Sequence, residues 1–441
     1  MLTLLWIWAA LLAALVVLAI GKRRDIGPLT LAYFLGLSLI HIPGVLVYLG
    51  RNGLLPNADE TMRGFQMTLV GMAAFVLGAV IAARAFKQEA GFTAVFPLAR
   101  GQIFEIVGWR LLGMGTFAYF VLVPLSFAIS SLTAPVASLG TLLVIGIWLR
   151  LYAANAAEDH LRTLGNLALI PLLPFATVVT GGFISYGTYW ALSVAAFLFV
   201  ISRQRLSFYL ALLPVIYLGL SLFVTYMGER VAIREVVRQD SSWSERLARV
   251  TPIITGFQFL DLQNPNHSVY LDERLNQNWL VGAGIFRHED GLTDLAYGGT
   301  IPWWAPIPRV IWPDKPVVGG GGNIVADYTG IDFGTETSVG VGQVLEFYIN
   351  FGLPGVVVGF VALGFILIWL DRGLMGALSR GDLGEVLLWA MPGLNLLQPG
   401  GNLLEIVVGT LTAFMVAYCL NYFRFLGAIL TPGVTAGPRR A

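Results

Sequence analysis

Three arginines stand at four-residue intervals in the run Gly228-Glu-Arg-Val-Ala-Ile-Arg-Glu-Val-Val-Arg238. A helix through this run stacks Arg230, Arg234 and Arg238 on one face. Guanidinium groups grip phosphate oxygens bidentately, so three of them beside an apolar segment suit a diphosphate. Arginines next to a membrane span also reach out to lipid headgroups, and Glu229 and Glu235 are placed to pair with them. The sequence leaves both readings open.

A second constellation is Ile301-Pro-Trp-Trp-Ala-Pro-Ile-Pro-Arg-Val-Ile-Trp-Pro-Asp-Lys-Pro316. Five prolines between positions 302 and 316 fix φ repeatedly and exclude a regular helix. A stiff segment of this kind can hold Arg309 and Lys315 in fixed positions. Trp303, Trp304 and Trp312 offer faces that stack on sugar rings, and tryptophan equally favours the membrane interface. The competing reading is an aromatic, proline-rich plug lying on the bilayer.

Downstream, four glycines (319–322) precede Glu346-Phe-Tyr-Ile-Asn-Phe-Gly352. Glu346 falls at the start of an apolar run. An ionisable side chain there is a functional hypothesis by default, either as a general base or as a partner that closes the helix bundle. His267 and His288 are further base candidates, against the plainer expectation that a lone loop histidine is solvated. His41 sits inside an apolar run and is expected to hydrogen-bond another helix. Glu405 is expected to be a structural partner near the end of the last run. Adjacent carboxylates at Asp272-Glu273 and Glu289-Asp290 make a weak metal signature, and no metal or cofactor is expected. No Walker A loop, His-Glu-x-x-His or Gly-x-Ser-x-Gly occurs, so a nucleotide-driven reaction is not expected.

The elements that carry these residues follow from composition. Of 441 residues, 56% are hydrophobic and 12% charged, against about 25% charged in a soluble domain. Long charge-poor runs predict an all-α polytopic membrane protein with about 11 spans, near 2–20, 28–50, 64–83, 110–130, 132–149, 163–180, 182–202, 206–226, 347–370, 384–398 and 403–423. The span at 384–398 is short and holds Pro392, so a broken or re-entrant helix is an alternative there. The first run lacks a basic flank before it and a small-residue cleavage site after it, and reads as a retained span. The single cysteine, Cys419, excludes an internal disulfide.

Lysine and arginine test the arrangement. Sixteen of them fall on one side of the alternating loops, and only Arg51 and Arg63 in the short loops opposite. Short cytoplasmic loops are enriched in Lys and Arg, so the sixteen-residue side is inside, with the N-terminus outside and the C-terminus in the cytoplasm. Residues 1–226 then form an N-terminal bundle of about eight spans. Residues 227–340 form a long, partly helical loop outside the cytoplasm, with helices expected over 229–239 and 243–263. Residues 341–441 form about three further spans and a tail. The loop holds nine basic and fourteen acidic residues, net −5, which argues against a generally basic lipid-binding surface. A net charge of +1 for the chain gives no bulk case for nucleic acid.

Three runs together resemble a known family: Arg274-Leu-Asn-Gln-Asn-Trp-Leu-Val-Gly-Ala-Gly284, Ile307-Pro-Arg-Val-Ile-Trp-Pro-Asp-Lys-Pro316 and Glu346-Phe-Tyr-Ile-Asn-Phe-Gly-Leu-Pro-Gly355. They look like the Wzy-type oligosaccharide repeat unit polymerases, which build O-antigen and exopolysaccharide in bacterial envelopes. The resemblance covers roughly residues 220–370 by motif and the rest by hydropathy. It implies a GT-C-like, metal-independent glycosyltransferase in the bacterial inner membrane, acting at its outer face on undecaprenyl-diphosphate-linked oligosaccharides. Arg230 and Arg309 match the family's arginine positions, and Lys315 and Glu346 lie in its motifs. Expected partners are the lipid-linked oligosaccharide, the bilayer, and a chain-length regulator and flippase of the same pathway. An O-antigen ligase is the neighbouring alternative, and a lipid-oligosaccharide flippase or other transporter the alternative from another class.

Overall fold

The computed structural model describes residues 1–21, 25–50, 56–86, 98–126, 129–202, 205–239, 241–302, 304, 307, 311–312, 314–315, 320–334 and 339–422. Arg309, Trp303 and the side chain of Arg238, all singled out in the sequence, lie outside the described residues. Every regular element among the described residues is helical. In chain order they are α1 (Leu2–Ile20), α2 (Pro28–Gly50), α3 (Ala58–Ala85), α4 (Leu98–Phe117), a π-turn at Ala118–Leu122, α5 (Val123–Ser126), α6 (Ser130–Leu139), α7 (Thr141–Ala156), α8 (His160–Leu167) and α9 (Leu172–Gly181). They continue with α10 (Ser185–Ile201), α11 (Arg205–Arg238), α12 (Trp243–Thr255), α13 (Pro265–Arg274), α14 (Gln277–Glu289), α15 (Gly321–Thr329), α16 (Gln343–Arg380), α17 (Leu383–Leu396) and α18 (Leu403–Tyr422).

Nine helical segments among the described residues are long and apolar enough to cross a bilayer. The chain is an all-α, multi-pass membrane protein. The count differs from the eleven runs of the sequence at two places. The run at 182–202 becomes α10, apolar but only 17 residues long. The run at 384–398 becomes α17, 14 residues with Pro392 inside it. A straight helix rises 1.5 Å per residue, so both fall short of the roughly 20 residues that a bilayer takes. The helix expected over 243–263 stops at Thr255, and Gly256 closes it by donating to the Pro252 carbonyl.

By contacts the chain divides into two units. One comprises residues 1–87, 171–369 and 396–408 and holds every described residue of 227–340; the other comprises 88–170, 370–395 and 409–441. In the second unit α4 and α7 cross closely, and Arg150 of α7 lies over the Trp109 ring at 3.5 Å.

The first unit is organised around α14, which packs on α2 and α3. Glycines permit the approach: a Cβ on Gly64 would come within 1.9 Å of the Asn278 carbonyl oxygen, and one on Gly282 within 1.8 Å of that of Glu60. Small residues at a helix crossing let two backbones approach, and larger ones would force them apart. Beside this crossing, Asn278 accepts from His41 Nδ1 (2.8 Å) and the Thr68 hydroxyl (3.0 Å), and donates to the His41 carbonyl (2.7 Å). Pro43 lies inside α2 at the same level and contributes no N–H to it. The N–H of Gly44 turns to the Leu275 carbonyl (3.1 Å), which places the α13–α14 turn against α2. Asn276 in that turn donates to Thr61 (3.0 Å) and to Asp272 (2.7 Å).

α16 is broken at Phe351-Gly352. Gly352 has φ 61° and ψ −151°, a conformation only glycine adopts without strain, and Pro354 follows. Residues 343–350 are therefore a separate short helix ahead of the long one.

Candidate functional site

α11 is one continuous helix from the membrane-spanning region through Arg238, so the four-residue spacing of the arginines is realised in space. Tyr226 lies on the same face, one turn before Arg230. Its hydroxyl donates to the Gly182 carbonyl (2.8 Å) in the α9–α10 turn and accepts from Arg230. Arg234 is buried, with its guanidinium over the Phe183 ring at 4.9 Å. A third guanidinium arrives from elsewhere in the chain. Arg274, the last residue of α13, acts electrostatically on Tyr226 and is itself acted on by Arg230 and Arg234.

Arg274 stands in a partly desolvated setting beside two other guanidiniums. Burial, and then the positive charge of Arg230, push the Arg274 guanidinium below the usual arginine range; Glu273 opposes this and Arg234 adds to it. The Nε of Arg274 is buried without a hydrogen-bond partner. Like charges gathered where water is partly excluded repel one another, and an anion set among them converts that repulsion into binding. Arg274 was missed as a site residue because nothing in its local spacing marks it. The available signal was its position at the head of the Arg274-Leu-Asn-Gln-Asn-Trp run.

Glu346 stands in a different environment. It lies in the first turn of α16 and is fully buried. One carboxylate oxygen accepts from the Thr300 hydroxyl (3.1 Å) and the other from the N–H of Leu403 (2.7 Å), the first residue of α18. A carboxylate at a helix N-terminus satisfies orphaned amides and complements the helix dipole. One turn on, Asn350 donates to Thr300 (2.7 Å) and to the Glu346 carbonyl (2.7 Å), and accepts from the N–H of Gly298 (3.0 Å). The amides of Ala296 and Tyr297 bond to the carbonyls of Ile349 and Asn350. The Glu-Phe-Tyr-Ile-Asn run is thus a clamp that ties residues 296–300 and the start of α18 to the short helix 343–350. The partners of Glu346 are a hydroxyl and an amide, which makes it a partner that closes the helix bundle.

The two histidines differ. His267 is buried. Its Nδ1 accepts from the N–H of Asp261 (3.1 Å), so its Nε2–H donates to Gln258 (3.0 Å), and both ring nitrogens are engaged. His288 directs Nδ1 at the Thr293 carbonyl (3.0 Å), which requires Nδ1–H and leaves the lone pair on Nε2. Its ring packs edge-on against Tyr348 (6.1 Å). Lys315 donates to the Ile307 carbonyl (2.9 Å), and the Trp304 and Trp312 rings meet at 6.0 Å. His41 bonds another chain segment, as expected of it, and Glu405 accepts from Asn402 (3.1 Å).

Compared with family models, with curated proteins and with solved structures, the chain finds no match.

Proposed function

We propose that the protein is a membrane glycosyltransferase that joins polyprenyl-diphosphate-linked oligosaccharide repeat units into O-antigen or exopolysaccharide at the outer face of the bacterial inner membrane. The observation that carries this reading is the convergence of Arg230, Arg234 and Arg274 around Tyr226, at the end of an apolar helix. A diphosphate attached to a lipid tail has the charge and the apolar extension that such a place fits. The motif resemblance supplies the sugar and the polyprenyl carrier.

In this reading an acceptor hydroxyl attacks the anomeric carbon of the donor chain. A carbon–oxygen bond to the acceptor forms and the bond to the diphosphate oxygen breaks, so the lipid diphosphate leaves with the electron pair. The arginines stabilise the charge that grows on it, with Arg309 and Lys315 completing the set. The acceptor's proton goes to a base. Of the three residues considered for that role, His288 retains an imidazole lone pair, whereas His267 and Glu346 are committed to other partners. Glu346 is then a positioning residue that holds residues 296–300, from which the proline-rich segment departs.

The deciding experiment supplies lipid-linked repeat units to one side of liposomes containing the purified protein. Chain growth without transfer across the bilayer is expected, and transfer without growth would replace the enzyme with a flippase. Growth that needs a lipid A core acceptor would identify a ligase. Full-length polymer from correctly inserted Arg230→Ala and Arg274→Ala proteins would sink the assignment.

A further inference from the structure

Between α12 and α13 the chain leaves helix and runs beside α11 from Gly256 to Leu262. Its backbone is held by a ladder of hydroxyls on one face of α11, at Tyr217, Ser221 and Thr225, each one turn from the next. The N–H of Gln258 donates to Thr225 (2.9 Å) and the N–H of Leu260 to Ser221 (2.9 Å). The hydroxyl of Thr225 reaches the Gln258 carbonyl (3.3 Å) and that of Tyr217 the Leu260 carbonyl (3.1 Å). From the other side His267 takes the N–H of Asp261 and Ser268 donates to the Leu262 carbonyl (3.0 Å). Residues 258 and 260 thus turn their backbone to protein hydroxyls. The alternate residues, Phe257 and Phe259, are exposed, and Phe259 stacks on Tyr217 at 6.2 Å.

Tyr217 lies in a membrane-spanning helix, and its neighbours Val215, Ile216 and Leu218 are exposed. On a span such side chains face lipid, and the Phe257–Phe259 edge continues their surface. Irregular backbone is tolerated at membrane level only when its polar groups find partners, which the hydroxyl ladder provides. Asp261 and Gln263, both exposed, limit the depth, because their polar ends need headgroups or water. Aromatic rings with polar groups beside them favour the interface between hydrocarbon and headgroups.

We infer that Gly256–Leu262 is a lipid-contacting anchor: Phe257 and Phe259 lie in the bilayer interface and fix α12 and α13 against the membrane surface. The occupant of this apolar edge is the bilayer's own acyl chains. The inference is independent of the proposed glycosyl transfer, although the anchored α13 ends at Arg274.

The test uses spin labels on single cysteines in the full chain, with Cys419→Ser removing the one native thiol. Phe257→Cys and Phe259→Cys alter exposed side chains, so core packing is preserved. In liposomes, labels at 257 and 259 are expected to collide more with oxygen than with a water-soluble nickel chelate, as at Val215→Cys. A label at Ser244→Cys, on exposed α12, is expected to show the opposite preference. Nickel accessibility at 259 equal to that at 244 would overturn the anchor. With Ser221→Ala and Thr225→Ala together, the label at 259 is expected to shift towards the aqueous value; no shift would overturn the role assigned to the hydroxyl ladder.

Discussion

The arginine trio and the Glu346 clamp are both polar clusters in an apolar chain, yet they are built on opposite principles. In the clamp each donor meets an acceptor: carboxylate to hydroxyl and amide, side-chain amide to hydroxyl and carbonyl. Such a network is complete without a ligand and serves to fix one arrangement of the backbone. In the trio, three cations surround one phenol and a buried Nε has no partner. Positive charges gathered in this way attract an anion. The satisfied cluster reads as structure and the trio is the one the proposed function uses, although before the fold is seen the isolated carboxylate looks the more catalytic of the two.

That contrast breaks if the wrong cluster carries activity. The largest effect is expected at the trio: Arg230→Ala and Arg274→Ala each lower the rate of chain extension by about 100- to 1,000-fold. The thermal midpoint of these variants stays level or rises, because like-charge repulsion is relieved. Rate and midpoint measured on the same preparations check this, and a falling midpoint would move the trio into the structural class. Next is Glu346→Ala, which orphans the buried Leu403 amide and the Thr300 hydroxyl at about 1–3 kcal/mol each. Thermal stability and yield are expected to fall, with activity lost only in proportion to folded protein. A fully stable but inactive Glu346→Ala protein would return the carboxylate to the reaction. Smaller still, Tyr226→Phe removes one donor to Gly182 at about 1 kcal/mol, seen as a modest drop in midpoint.

The smallest effect is a pH dependence. Burial raises the Asp272 carboxyl above its usual range, offset in part by hydrogen bonds from Asn276 and Tyr48. An acid whose folded pKa is raised is relatively stabilising while protonated. Its contribution is present below the usual carboxylate range and lost as pH rises through the raised value. Asp272→Asn is expected to flatten that part of a stability–pH curve; an unchanged curve would show that another group is responsible.

Much of the helical framework was legible in the sequence, because long apolar runs admit little else. The i, i+4 stacking of Arg230 and Arg234 was legible for the same reason: a helix determines its own faces. α12 to α14 were harder. α14 carries Asn278 among apolar residues, and only its partners on α2 and α3, more than 200 positions away, explain that polar side chain. Arg274 is a distant-contact residue of the same kind. Of the two short apolar helices, α10 reads as a full span because hydropathy does not register where a helix stops, whereas Pro392 already marks α17 as a span or a broken, re-entrant helix. Glu346 was located correctly at a helix start. Its partners could not be read, since Thr300 and Leu403 are neither near in sequence nor distinctive in type.

The α3–α14 crossing has a consequence in time. His41 and Thr68 are made 237 and 210 residues before the asparagine that satisfies them. At about 5–20 residues per second of synthesis, α2 and α3 wait on the order of ten seconds or more with those polar groups and the Gly64 notch uncovered. The nascent protein therefore passes through a long-lived intermediate whose open groove must be shielded from lipid and from neighbouring chains.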